Sequence, residues 1–198
     1  MKAGSMFIVL EGIDGTGKST QAQMLADWFT SRGCEVVLSR EPTDGPWGRK
    51  VRESAATGRL SPEEELNFFL KDREQHVAEL IRPSLEAGKV VILDRYYFST
   101  MAYQGARGFD PQEIRAMNEA FAPRPDHLLI LDLDVDEARK RIGSRGDTAN
   151  EFEQRDSLAK CREIFLSLRD EPFVQVIDSV GSVEEIQQRL RKAVKAGS

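Results

Sequence analysis

The residues Gly12-Ile13-Asp14-Gly15-Thr16-Gly17-Lys18-Ser19, with Thr20 behind them, have the types and spacing of a loop that holds phosphate, G-x-x-x-x-G-K-[ST]. Glycines in those places let backbone N–H groups turn inward around phosphate oxygens, and a helix opening directly after them adds partial positive charge. In that arrangement the Lys18 ammonium reaches the β- and γ-phosphates and the Ser19 hydroxyl ligates Mg²⁺. The plain alternative is a glycine-rich turn with a stray Lys-Ser pair. The context argues against it. Met6-Phe7-Ile8-Val9-Leu10-Glu11 reads as a strand, and residues 20–32 have helical patterning. A strand, a glycine-rich loop and a helix in that order predict binding of a nucleoside triphosphate.

Other polar groups fall just after apolar runs. Asp94-Arg95-Tyr96 follows Val90-Val91-Ile92-Leu93. There a carboxylate could hold a metal through its water shell and an arginine could grip a phosphoryl group. An Asp-Arg pair is often only a surface ion pair, and its place behind a strand is what raises it above that. Arg40-Glu41-Pro42 follows the second strand, where spacing alone does not choose between a turn and a site. Arg139, Lys140, Arg141 and Arg145 form a basic cluster flanked by Gly143 and Gly146. Cations at a helix C-terminus are ordinary, yet the glycines favour a mobile lid that brings arginines onto a triphosphate. Phe69 and Arg73 lie four residues apart, on one helix face. They could stack on a base and bond its exocyclic oxygen, or Phe69 could be core.

The elements that must position these groups alternate. Short, mostly non-alternating apolar runs at 7–10, 35–38, 89–93, 128–133 and 174–177 read as strands covered on both faces. Helical patterns occupy 20–31, 62–87, 111–121, 136–144, 153–168 and 183–195. Ser61-Pro62-Glu63-Glu64 is a helix start, Gly88 a stop, and Pro83 predicts a bend between them. This is an α/β chain: a doubly wound, parallel five-stranded sheet with its ligands at the carboxyl ends of the strands. A length of 198 residues suits one domain. We expect residues 1–5 to be a leader or tag and residues 6–198 to form that domain. The net charge of −5 argues against a protein that coats nucleic acid. No run is long enough for a membrane span, and no signal peptide shows. Cys34 and Cys161 lack metal or redox spacing and read as free thiols in a reducing cytoplasm, and His76 and His127 lack metal-site partners.

Together these segments resemble the thymidylate kinase family. The resemblance rests on three stretches: Glu11 to Thr20; Arg40-Glu41-Pro42 with Gly48-Arg49-Lys50-Val51-Arg52; and Asp94-Arg95-Tyr96 with Ser99, Ala102-Tyr103-Gln104-Gly105. It implies transfer of phosphate from ATP, with Mg²⁺, to dTMP in the synthesis of dTTP. It implies that Asp14 bonds the sugar 3′-OH, Phe69 stacks on thymine and Arg73 donates to its O4. By the same likeness Arg52 and Arg95 hold the acceptor phosphate, Thr100 and Gln104 meet the polar edge of the base, and Tyr103 sits against the deoxyribose. Asp94 stands behind Mg²⁺, Ser19 ligates it, and Lys18, Asp94, Arg95 and Arg145 form the catalytic set. Residues 12–20 with Arg139 and Arg141 bind ATP, and the lid spans about residues 139–152. Bacterial-type members use lid arginines in place of a basic residue at the loop position of Gly15.

Two segments depart from the family pattern. Thr43-Asp44-Gly45-Pro46-Trp47 replaces Gly-Gly-Thr after Arg-Glu-Pro, and Glu151 stands where a second lid arginine is expected. The lid segment 143–150 is expected to order only around nucleotide, and the Glu41–Pro42 bond to be cis. A homodimer is expected, packed through the apolar helices around 68–80 and 98–101. Three alternatives remain: a GTP-binding switch, a phosphate-loop kinase for another nucleoside monophosphate or nucleoside, and a binding module without turnover. The switch lacks N-K-x-D, and its only later D-x-x-G, Asp178 to Gly181, reads as a turn.

Overall fold

The apolar runs become five parallel strands: β1 (Met6–Glu11), β2 (Val36–Arg40), β3 (Val90–Asp94), β4 (His127–Asp132) and β5 (Val174–Asp178). They lie in the order β2-β3-β1-β4-β5. The structure is a computed structural model and describes residues 4–58, 60–143 and 151–196. Successive side chains of a strand point to opposite faces, so each face of the sheet needs its own cover. Ile8, Leu10, Ile92 and Leu129 pack under α1 (Lys18–Thr30) and α9 (Val183–Ala196). Phe7, Val9, Val91 and Ile130 face the opposite layer. Coverage on both sides is why the inner strands are apolar at consecutive positions.

The carboxyl ends of the inner strands are level. Leu10 pairs with Asp94, Asp94 with Arg40, and Glu11 with Ile130. The chain reverses direction across the sheet around β1, and such a switch point leaves a crevice at the strand ends. The phosphate-loop candidate and the Asp94-Arg95 pair both emerge there.

The second layer holds α2 (Pro46–Thr57), α3 (Pro62–His76), α4 (Arg82–Glu86), α5 (Tyr97–Ala106), α6 (Pro111–Glu119), α7 (Val135–Gly143) and α8 (Glu151–Leu166). α3 opens as expected, with a reciprocal cap between Ser61 and Glu64 and with Pro62 in the first turn. The helix expected over 62–87 runs unbroken from α3 through α4 to Glu86, with a local change of pitch instead of a boundary. Pro83 has no N–H to donate back, and the chain widens just upstream into a π-helical turn, Val77–Ile81, where the Arg82 N–H reaches Val77 O. No helix of the described residues is long and apolar enough to cross a membrane.

Two helices are missing from the helical patterns read in the sequence, although a helix around 98–101 entered the dimer expectation. α2 buries little beyond Val51 and Ser54, so it has no apolar stripe. α5 has the opposite fault, because Tyr97, Phe98, Thr100, Met101, Ala102 and Gln104 are all buried and no polar face marks a helical period. This corrects the expectation of a dimer packed through 98–101. Phe98 and Met101 are already covered by this chain's own core, beside Tyr97 at 4.0 Å between ring centroids. Phe98→Ala should therefore cost about 3–5 kcal/mol of stability. The loss relative to the parent protein, read by denaturant melts, should be the same at low and high protein concentration. A loss that grows on dilution would return Phe98 to an interface.

Candidate active site

Gly12, Gly15 and Gly17 all have positive φ, and Gly17 sits directly before α1 in the left-handed region. The loop N–H groups thus stand at the positive end of a thirteen-residue helix. At Gly15 a second constraint applies: a Cβ there would collide with the carbonyl oxygen of Ala138 in α7. Lys18 is buried, and its ammonium donates to Gly12 O at 3.0 Å and Ile13 O at 2.9 Å. Burial and the neighbouring Arg95 draw its pKa down to about 8, against the pull of Asp14, Asp94 and Glu11.

Ser19 donates its hydroxyl proton to Asp94 Oδ2 across the gap between α1 and β3. Asp94 Oδ1 is buried and has no hydrogen-bond partner among the described residues. A hydroxyl beside a carboxylate with an unengaged oxygen, next to a phosphate loop, is a donor set that fits Mg²⁺ and its water shell.

Arg95 joins this region to the next. It adopts φ 73°, rare outside glycine, at the corner where β3 passes into α5. Its backbone N–H is fixed on Leu10 O at 3.0 Å. The guanidinium donates to Asp14 Oδ1 at 2.5 Å and to Ser99 Oγ at 2.9 Å, and it lies over the Tyr103 ring at 5.2 Å. Tyr103 also donates to Asp14 Oδ2 at 3.1 Å. Desolvation alone would raise the pKa of Asp14, but Arg95 and Lys18 outweigh it and hold the carboxyl below its usual range.

Beneath Arg95 lies Glu11, fully buried at the end of β1. Its Oε1 accepts from the backbone N–H groups of Tyr96 (2.7 Å) and Ser99 (3.0 Å), and its Oε2 accepts from Ser99 Oγ (2.6 Å). It therefore caps α5 from a distant strand, and the Ser99 hydroxyl links it to Arg95. Burial pushes the Glu11 pKa up to about 7, opposed by Arg95, by the hydrogen bonds from Ser99 and Tyr96, and by Lys18.

A cavity of about 260 Å³ opens beside Asp14, between α3 and α5. Phe69 and Arg73 from α3 and Thr100, Tyr103 and Gln104 from α5 all line it. Gln104 is buried, and its Oε1 has no partner among the described residues. A buried carbonyl oxygen left open on a cavity wall calls for a ligand N–H. Arg73 is fully buried and bonded to Glu41, Thr100 and Asn118. The Glu41–Pro42 bond is cis, as expected, and Pro42 lines the cavity.

The residues expected to act together thus mostly meet. Residues 12–20, Asp94 and Arg95 gather at the strand ends, and Asp14 bridges them to the cavity. Arg52 is not among the residues lining it: its guanidinium holds Pro42 O at 2.8 Å and Asp44 at 2.9 Å, at the rim. Arg141 donates to Ser179 O at 3.1 Å in the loop after β5, and Arg139 is half-buried on α7. Arg145 and residues 144–150 lie outside the described residues, and so does the side chain of Glu151. The lid expectation falls there. Sequence reading missed Glu11, Asn118 and the pairing of Glu41 with Arg73. Only the position of Glu11 at the head of the loop and of Glu41 behind a strand could have signalled them.

A doubly wound sheet with a phosphate loop on its central strand, next to a cavity for a second ligand, defines a phosphate-loop kinase. The thymidylate kinase family model matches residues 10–190, and this chain belongs to the thymidylate kinase family. A thymidylate kinase of Akkermansia muciniphila is 54% identical over 187 residues, 94% of this chain and 90% of its own length. One from Xanthomonas euvesicatoria is 48% identical over 196 residues, covering 99% of this chain and 86% of the relative. The crystal structure of thymidylate kinase from Ehrlichia chaffeensis superposes with a TM-score of 0.76 at 31% identity, covering 96% of this chain and 99% of that one.

The raised pKa of Glu11 gives a stability test. A carboxyl whose folded-state pKa lies above its unfolded value stabilises the fold at low pH and loses that contribution as pH rises through the window. That window runs from about 4.5 to about 7. Glu11→Gln keeps an oxygen for the α5 N–H groups but cannot ionise. Its stability relative to the parent should climb between pH 4.5 and 7 and level off above, read by thermal melts across pH. A gap independent of pH would show that Glu11 does not titrate in this range.

Proposed function

We propose that this chain transfers the γ-phosphoryl group of ATP to the phosphate of dTMP, giving dTDP and ADP. The observation that carries this reading is Asp14: one carboxylate belongs to the phosphate loop and also lines the second cavity, so donor and acceptor sites share a wall. In the transfer, an oxygen of the dTMP phosphate forms a bond to the γ-phosphorus while the bond to the β,γ-bridging oxygen breaks, and ADP leaves with that electron pair. The loop N–H groups and Lys18 hold the ATP phosphates, with Arg139 and Arg141 of α7 as further cations toward ATP. Mg²⁺, bound with ATP, would be held by Ser19 and Asp94 and would offset phosphate charge. Arg95 grips the acceptor phosphate, and Arg52 approaches it from the rim. Arg145 is the lid arginine that meets the transferring group.

On the acceptor side, Phe69 stacks on thymine, Arg73 donates to O4, and Gln104 and Thr100 meet the remaining polar edge. The open Gln104 Oε1 supports this, because the N3–H of thymine is the donor it lacks. Asp14 takes the 3′-OH, and Tyr103 packs on the deoxyribose. We also propose a homodimer through α2 and α3, where Trp47 and Phe68 stack at 5.6 Å and stay half-buried. Free Cys34 and Cys161 accord with a cytoplasmic enzyme.

An assay of ADP release with ATP, Mg²⁺ and dTMP, dUMP or dCMP should show turnover strongest with dTMP; turnover confined to another acceptor would reassign the substrate. Lys18→Ala should lose about 2–4 kcal/mol of transition-state stabilisation while remaining folded. Arg73→Ala should raise KM for dTMP far more than for ATP, and equal effects on both would make Arg73 structural.

A further inference from the structure

Arg73 is held by more protein than a base-reading arginine requires. Its Nε donates to Glu41 Oε2 at 2.8 Å, Nη2 lies 2.7 Å from the same oxygen and 3.0 Å from Thr100 Oγ1, and Nη1 donates to Asn118 Oδ1 at 2.6 Å. These contacts engage every nitrogen of the guanidinium and leave an N–H on Nη1 over. Glu41 has a further partner that does not line the cavity. His76 Nδ1 stands 3.0 Å from Glu41 Oε1, and His76 Nε2 stands 2.9 Å from Ser39 Oγ. A carboxylate only accepts, so Nδ1 carries the proton, and the Ser39 hydroxyl meets Nε2 on the other side of the ring. The chain Ser39–His76–Glu41–Arg73 therefore runs from β2 to the cavity wall, with His76 and Glu41 both buried.

We propose that His76 is a positioning residue for Arg73, acting through Glu41, and that it sets discrimination between pyrimidines with a carbonyl and with an amino group at C4. The inference rests on the reading of Arg73 given above. Glu41 offers one oxygen to Arg73 and the other to His76, so the two donors fix the plane of the carboxylate. Without the Nδ1–H, Oε1 is a buried acceptor lacking a donor, and the carboxylate turns to recover one. The guanidinium follows, because its Nε donates to Oε2 and its Nη2 lies against the same oxygen. A held guanidinium donates to O4 and meets a 4-amino group donor to donor; a tilted one loses that contrast.

Two substitutions separate positioning from packing. An asparagine amide reaches about as far as Nδ1 and can still donate to Glu41, whereas a glutamine amide reaches the place of Nε2 beside Ser39. His76→Gln should raise KM for dTMP about tenfold and cut the dTMP-to-dCMP ratio of kcat/KM by a similar factor, with KM for ATP unchanged. His76→Asn should restore both to within about threefold of the parent. Equal behaviour of the two variants, or a matching rise in KM for ATP, would overturn the proposal. Thermal melts establish that each variant is folded, and Glu41→Gln provides a second route. It should raise KM for dTMP and lower the same ratio, and an unchanged KM would sink the coupling. Arg73→Ala run alongside keeps the two readings apart. If it too leaves KM for dTMP unaltered, base reading by Arg73 is wrong; if only the His76 and Glu41 variants are silent, this inference alone fails.

Discussion

The pairing of β1 with β3 governs the whole site. It puts Leu10 opposite Asp94, so the loop that follows β1 and the Asp94-Arg95 corner that follows β3 leave the sheet at one level. The Arg95 N–H closes that junction on Leu10 O, and Glu11, one residue further, takes the first N–H groups of α5. A parallel pair buried on both faces cannot slip by one residue without exchanging its two cores. The spacing between the phosphate loop, Asp94 and the α5 side chains is thus set by the packing of Ile8, Val9, Val91 and Ile92, far below the chemistry.

Two clusters of hydrogen-bonded polar and charged groups stand on this frame. In one, Arg95 lies between Asp14 and the Ser99–Glu11 link. In the other, Glu41 lies between Arg73 and His76. Buried ion pairs are poor sources of stability, since desolvation offsets most of the attraction. Their retention here points to direction: each guanidinium is fastened from behind so that its free side faces the cavity. The raised Glu11 and lowered Asp14 show the two outcomes of this balance within one loop, one carboxyl governed by burial and the other by its cationic neighbours.

Much of this was legible in the residues. The strand–loop–helix unit around Gly12 to Ser19 needed only local pattern, and the five strands announced themselves as apolar runs with polar ends. α5 was hidden because almost every side of it is buried, and α2 because almost none is; amphipathic period marks only the cases between. Phe69 and Arg73, which both line the cavity, showed as neighbours on one helix face, with core left open for Phe69 until the family likeness. Glu11, His76 and Asn118 did not, since their meaning lies in contacts across tens of residues: Glu11 bonds Ser99, and Asn118 bonds Arg73. A buried carboxylate in an apolar run looks in sequence like a strand's last residue and nothing more.

The close approach of Gly15 to α7 has a consequence for how such a site can change over generations. Any side chain at position 15 would strike the Ala138 carbonyl, and the backbone there is left-handed as well. A lineage could not acquire a loop cation by a single substitution, because the intermediate would displace the helix that leads into the arginine-bearing segment. A side chain at position 15 and α7 in its present seat are therefore mutually exclusive, so such an exchange needs two changes made together.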